Sequence, residues 1–231
     1  MQSDIEKIEA SIVRYQALRR HSDPAFAQQL AVLKRWQHQR MEKTYAALLS
    51  ASGTQSLVHY FLEDIYGGID LSEVIKSLSR SLKIAGKLFS DLSLIRIALE
   101  FNTLNAEIDE ALTEALLHTQ HINQINAENY ADAMRAAGLL ERHLRSIALV
   151  GEFAEGLDET VHNALVYGAF VVAKLPAKLG GLGKLYQLLE KGFEVIRALP
   201  SAEQTIGKIV AYEKEIHLPI GDGQPLSLKP M

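Results

Sequence analysis

Residues 91–117 read DLSLIRIALEFNTLNAEIDEALTEALL, and their apolar positions fall on two seams at once. Leu94, Ile97, Phe101, Leu104, Ile108 and Ala115 keep the three-to-four-residue spacing of one helical face, while Leu92, Ile95 and Leu99 keep that of another. A helix apolar over so wide an arc has little surface to offer water and belongs at the centre of a bundle. Residues 155–175 show the same breadth and read as a second central helix, stopped by Pro176. Nowhere does the chain sustain the two-residue alternation of a half-buried strand. The fold class is therefore all-α, a single helical bundle of about eight or nine helices around two central apolar ones.

Capping signals divide the rest. Ser3-x-x-Glu6 is a capping box that opens a helix running to about Arg20. Asp23 followed by Pro24 opens a second, with Phe26, Leu30, Leu33, Met41 and Leu48 on one face. A third ends at Tyr66, and Asp70 or Ser72 caps a fourth that carries Leu71, Ile75, Leu78 and Leu82. Asn126 starts a helix through Met134 and Leu140 to about Val150. Gly180-Gly181-x-Gly183 turns the chain into a helix ending near Leu199, and Ser201-x-x-Gln204 caps a last one to His217. Residues 1–217 thus read as one domain. Residues 218–231, with Pro219, Gly221, Gly223, Pro225 and Pro230, read as an unpacked tail.

Composition narrows the function classes. Hydrophobic residues make up 48% of the 231 and charged residues 23%, an ordinary globular balance. A net charge of −4 lacks the basic character that drives nucleic-acid binding. No cysteine is present, which removes disulfides, thiolate metal sites and cysteine nucleophiles. The first residues have no signal-peptide pattern, and the apolar stretch from Ala164 to Leu175 is too short to span a bilayer. A cytoplasmic protein without a transmembrane segment is expected.

One short block stands out. In Phe61-Leu62-Glu63-Asp64-Ile65-Tyr66-Gly67-Gly68, the two acids sit in the last turn of a helix that Gly67 closes. Carboxylates there face the negative end of the helix dipole at a cost of about 0.3–1 kcal/mol each, so each needs a partner. With Thr44-Tyr45-x-x-Leu48-Leu49 before it, the block resembles an uncharacterised family of bacterial all-helical proteins whose signature is F-[FL]-L-x-[DE]-[LI]-Y-G. Phe61, Leu62, Asp64, Tyr66 and Gly67 are the positions that match it. The run Gly181-Leu182-Gly183-x-Leu185-x-x-Leu188-Leu189-Glu190-x-Gly192-Phe193 is similar to that family's second block. The family usually follows its Tyr-Gly with Pro, where this chain has Gly68. The resemblance implies a helical fold and no particular activity.

Charge is segregated. Arg14, Arg19, Arg20, Lys34, Arg35, Arg40 and Lys43 face only Asp23 and Glu42 between Ala10 and Leu62. Between Ile97 and Met134 there are Glu100, Glu107, Asp109, Glu110, Glu114, Glu128 and Asp132, with no Lys or Arg. The plainest reading sets the basic and acidic helices against each other inside the bundle. The alternative is self-association or a charged partner.

Glu107, Glu110, Glu114, His118 and His121 share one helical stripe, and Glu159-x-x-His162 repeats the pair spacing of di-iron bundles. A di-iron site needs two such pairs and two further Glu, and this chain has one pair. A solvated stripe of acids and imidazoles is the simpler account. His59 and Glu63 read as a surface pair, while Asp64 is expected to meet Arg40 or Lys43. The Lys174–Lys184 run has the Gly and Lys of an anion cradle, but no strand precedes it and Gly183-Lys184 lacks the following Ser or Thr. A helix–helix turn needs the same residues. With Lys191 and Arg197 nearby, an anionic lipid headgroup is a second use for them. No catalytic signature, metal or cofactor emerges. The sequence favours a non-enzymatic binding or interaction module, holding an apolar or anionic small molecule between helices. A metal-dependent helical oxidoreductase is the alternative.

Overall fold

The structure, a computed structural model, describes residues 3–66, 92–179, 182–200 and 202–231. Eleven helices lie among them and no strand: α1 (Asp4–Gln16), α2 (Pro24–Thr44), α3 (Ala46–Ser50), α4 (Gln55–His59), α5 (Ser93–His118), α6 (Ala127–Ala136), α7 (Leu140–His162), α8 (Ala164–Val172), α9 (Lys174–Leu179), α10 (Gly183–Ala198) and α11 (Ala202–His217). A π-helical turn, Tyr60–Tyr66, continues α4, and 3₁₀ turns follow α1 (Arg19–His21) and α11 (Leu218–Asp222). The expected helix from residue 70 to Gly86, together with Gly67, Gly68 and Ser201, lies outside the described residues.

Several helix starts follow from their caps. Ser3 and Glu6 exchange the reciprocal bonds of a capping box, Ser3 N–H to Glu6 at 2.7 Å and Glu6 N–H to Ser3 Oγ at 3.3 Å. Asp23 accepts from Phe26 N–H at 3.0 Å, and Asn126 accepts from Glu128 and Asn129 N–H at 3.0 Å.

Helix α5 is central, packing on α1, α2, α6 and α7. It buries Ile95, Ile97, Leu99, Phe101, Leu104, Ile108, Leu112 and Leu116, drawn from both seams. The second central helix is not residues 155–175. It is α7, which packs on α5, α10 and α11 and buries Ile147, Leu149, Phe153, Ala154 and Leu157. The chain breaks at Asn163, whose side chain accepts from Leu165 and Val166 N–H at 3.2 Å and starts α8 anew. Periodicity alone did not show that break, because Leu157, Val161 and Leu165 keep helical spacing straight across Asn163.

Two other expected helices are shorter for local reasons. The helix opened by Asn126 stops at Ala136, because Gly138 adopts φ 62° and Leu139 N–H reaches back to Met134 O at 3.0 Å. Helix α2 stops at Thr44, where Tyr45 leaves helical geometry with its ring buried. These interruptions raise the helix number above the expected eight or nine. The tail is packed rather than loose. Ile220 and Leu226 are buried, Leu226 N–H bonds Ala127 O at 3.1 Å, and Met231 N–H bonds Thr44 O at 2.9 Å. No helix among the described residues is long and apolar enough to cross a membrane.

Helix α10 meets α7 and the π-helical turn at Gly192. A Cβ there would stand 2.6 Å from Tyr60 Oη, 3.0 Å from Tyr60 Cζ and 3.1 Å from Leu157 Cδ1. The Tyr60 phenol is fully buried and donates to Leu188 O at 3.2 Å, so it has no room to withdraw. At Gly156 the nearest atom is the end of the half-buried Leu94 side chain, 2.7 Å away, which can rotate aside. Gly192→Ala is therefore expected to lower stability by about 1–3 kcal/mol despite better helix propensity. Gly156→Ala should be near neutral, and urea denaturation of both variants checks the contrast.

Candidate functional site

Five helices and the π turn converge on one cleft. Helix α7 presents His143, Ser146, Ile147 and Val150, and α11 presents Ile206, Ile209, Val210 and Glu213, each set at three-to-four-residue spacing. Val58, Phe61, Leu62 and Ile65 form a third wall, with Met41 and Tyr45 from the end of α2 and Phe101 from α5. The cleft holds about 630 Å³ of unfilled space, its open mouth included. Its walls are overwhelmingly aliphatic and aromatic.

Its floor is polar and buried. Arg40 Nη1 donates to Glu213 Oε1 at 2.7 Å, and the Tyr45 hydroxyl donates to the same oxygen through a short bond. Glu213 thus receives a charged and a neutral donor at one end. Burial acts to raise its pKa, but the Arg40 charge and the two bonds outweigh it and hold the carboxyl down to about 2. Burial also raises the Tyr45 phenol, and the Glu213 charge adds to it, so Tyr45 remains a donor. Next along the chain, Gln37 Nε2 donates to the buried Asp109 at 3.1 Å. Burial raises Asp109, against the pull of Lys34 and Gln37.

Two histidines complete this buried network, His143 at the cleft and His217 behind it. His217 is fully buried, its Nδ1 2.7 Å from Glu213 O and 3.5 Å from Glu213 Oε2. The His143 ring lies against it with centroids 4.3 Å apart. Burial depresses both imidazoles, His217 to about 4 and His143 well below its ordinary value, the neighbouring ring lowering the latter further. Both are neutral at pH 7. Among the described residues, neither ring nitrogen of His143 has a hydrogen-bond partner, and neither has Nε2 of His217. A buried polar group without a partner costs about 1–3 kcal/mol and calls for an explanation.

The Glu/His stripe has a different use. Glu107 pairs with Arg14 at 2.6 Å and, through a short contact, with Arg142. Glu110 takes Arg20 Nε at 2.9 Å and the N–H groups of Arg19 and Arg20 at 3.0 and 2.9 Å. Glu114 lies 3.5 Å from Arg19. The basic start of the chain and the acidic helix thus face each other within the bundle. His118 and His121 are exposed, as are Glu159 and His162 at the far end of α7, where His162 meets Asp158 at 3.3 Å. Among the described residues no three His, Asp or Glu side chains are placed to hold a metal ion.

The motif acids also find partners. Asp64 pairs with Lys191 of α10, not with Arg40 or Lys43, because Arg40 is turned inward to Glu213. Glu63 lies 3.5 Å from His38 rather than against His59, which is exposed. Phe61, Leu62 and Ile65 line the cleft, so the motif builds its wall. In the 174–184 run, Lys174 pairs with Glu190 at 2.6 Å, and Leu182 N–H at the start of α10 bonds Ala177 O of α9 at 2.8 Å, while Gly180 and Gly181 lie outside the described residues.

The profile of one protein family matches residues 16–227, from the end of α1 through α11, and so takes in every residue of the cleft. The chain belongs to that family, described as a domain of unknown function (DUF8198). No curated protein and no solved structure shows a significant match to it. Sequence reading of this DUF8198 chain missed His143, Glu213 and His217. The available signal was a polar residue at a helix position whose neighbours three and four away are apolar, such as Glu213 beyond Ile209 and Val210.

Two outcomes follow. Glu213→Gln leaves Arg40 buried without its counter-charge and is expected to cost about 3–5 kcal/mol, while Arg40→Met with Glu213→Leu recovers much of it. The depressed histidines take up protons more readily when unfolded, so their contribution falls as pH drops from 6.5 toward 4. At pH 5 His217 alone removes about 2 kcal/mol, with His143 acting in the same direction and Asp109 opposing. Urea midpoints at pH 7.5 and pH 5 should show the loss, and His143→Leu should reduce it.

Proposed function

We propose that this protein is a non-catalytic helical binding module whose cleft holds a small apolar molecule bearing one uncharged polar group. The carrying observation is His143, a neutral imidazole buried in the wall of an apolar cleft with neither nitrogen partnered among the described residues. A hydroxyl or carbonyl on a ligand would satisfy it, while the ligand body covers Val58, Phe61, Ile147, Val150 and Ile206.

Charge selects the head group. Glu213 lines the cleft as an anion, and Arg40 is already committed to it, so the floor is electrically balanced. A carboxylate would meet Glu213 without gaining a cation, and an ammonium would lose its hydration beside two neutral imidazoles. The site favours a neutral head. The Ser146 hydroxyl at the cleft donates to Asn105 Oδ1 at 2.7 Å, and Glu213 is engaged by Arg40 and Tyr45, so among the described residues neither group is set up as a nucleophile with a base.

Thermal unfolding with 1-decanol, decane and decanoate tests this. At a hundred times its Kd, 1-decanol is expected to stabilise the fold by about 2.7 kcal/mol, with smaller shifts from the other two. His143→Leu should erase the advantage of decanol over decane. Equal stabilisation by decanoate, or an advantage that survives His143→Leu, would refute the reading.

A further inference from the structure

The second half of the 155–175 run, expected at the centre of the bundle, comes to the surface on α8 and α9. Leu165 is 84%, Val172 78% and Leu179 80% exposed, and Val171 and Leu175 are half exposed or more. Leu165 and Val172 stand two turns apart on α8, and Leu175 and Leu179 continue the same spacing on α9. The opposite side of the pair is fastened. Phe170 stacks on Tyr186 with centroids 4.2 Å apart and meets Phe193 edge-on at 4.7 Å, and the Tyr186 hydroxyl donates to Phe170 O at 3.1 Å. Ala173 and Ala177 are buried beneath. Large apolar side chains are thus held outward by a rigid aromatic base, the arrangement that marks an interaction surface.

Charge identifies what the surface meets. From Thr160 to Leu189 the chain has no Asp or Glu and three exposed lysines, of which Lys174 pairs with Glu190 just beyond the run while Lys178 and Lys184 add to the positive charge of the patch. A second copy seated on this patch about a two-fold axis would bring lysines against lysines. An anionic lipid surface complements both features at once, taking apolar side chains at the acyl boundary and ammonium groups among its headgroups. We infer that α8 and α9 form a membrane-surface docking patch, with Leu165, Val172, Leu175 and Leu179 entering the interface of an anionic bilayer and Lys178 and Lys184 at its phosphates. The segment lies on the bilayer. It is too short to cross one.

Sedimentation of the full-length chain with extruded vesicles tests the inference. Binding is expected to vesicles one-third phosphatidylserine, with little to pure phosphatidylcholine, and to weaken as salt shortens the screening length. Lys178→Gln should lower the partition coefficient about fivefold. Leu165→Ser with Val172→Ser should lower it about tenfold or more while leaving the unfolding midpoint in place, since both side chains already face outward. No vesicle binding, equal binding to both compositions, or binding unmoved by these substitutions would overturn it. A concentration-dependent dimer dissolved by the same double variant would assign the patch to a second copy and overturn it as well.

Discussion

Arg40 and Glu213 stand 173 residues apart and share a site almost without water. Withdrawing two charges from solvent costs several kcal/mol per ion, and their attraction repays it only with good geometry and satisfied remaining lone pairs. Much of the surrounding architecture serves that requirement. Tyr45 breaks α2 where its hydroxyl can reach Glu213, α11 presents Glu213 toward α2, and α7 closes the side with His143. The two imidazoles lose their protons in consequence of the same burial. The cleft inherits a floor that is polar, rigid and uncharged overall.

The outer electrostatics work on a cheaper principle. Arg14, Arg19 and Arg20 meet Glu107, Glu114 and Glu110 at partly exposed positions, where isolated pairs contribute little. Their value is in registry, because a run of bases and a run of acids pair at only one alignment of α1 against α5. Asp4 with Arg96 at 3.0 Å extends the same seam. This part was legible in the sequence, since runs of one sign with few exceptions have few ways to be neutralised. The central helix at 93–118 was legible for a similar reason, as two apolar seams on one helix leave it no surface position.

What was not legible depended on single residues or on tertiary partners. Asn163 and Gly138 each end a helix inside an otherwise periodic pattern, and one polar or flexible residue is a weak signal against many apolar ones. The partner of Asp64 comes from α10, far along the chain, and spacing carries no information about it. The tail looked unpacked by composition, yet Pro219 and Gly223 shape a 3₁₀ turn that delivers Ile220 and Leu226 to the core. The block at Phe61–Tyr66 was recognisable by its letters. Its role as cleft wall, on a π-helical turn that re-aims the side chains, became visible only in three dimensions.

The span of the cleft along the chain has a kinetic consequence. Its walls run from Met41 to Glu213, so no contiguous fragment much shorter than the whole can assemble them. Local helices form in microseconds, whereas closing a loop of this length draws on chain entropy that only the finished core repays. The pocket is therefore among the last features to appear during folding. A nascent chain still holding α11 in the ribosome has no cleft, so the pocket and the completed fold arrive together.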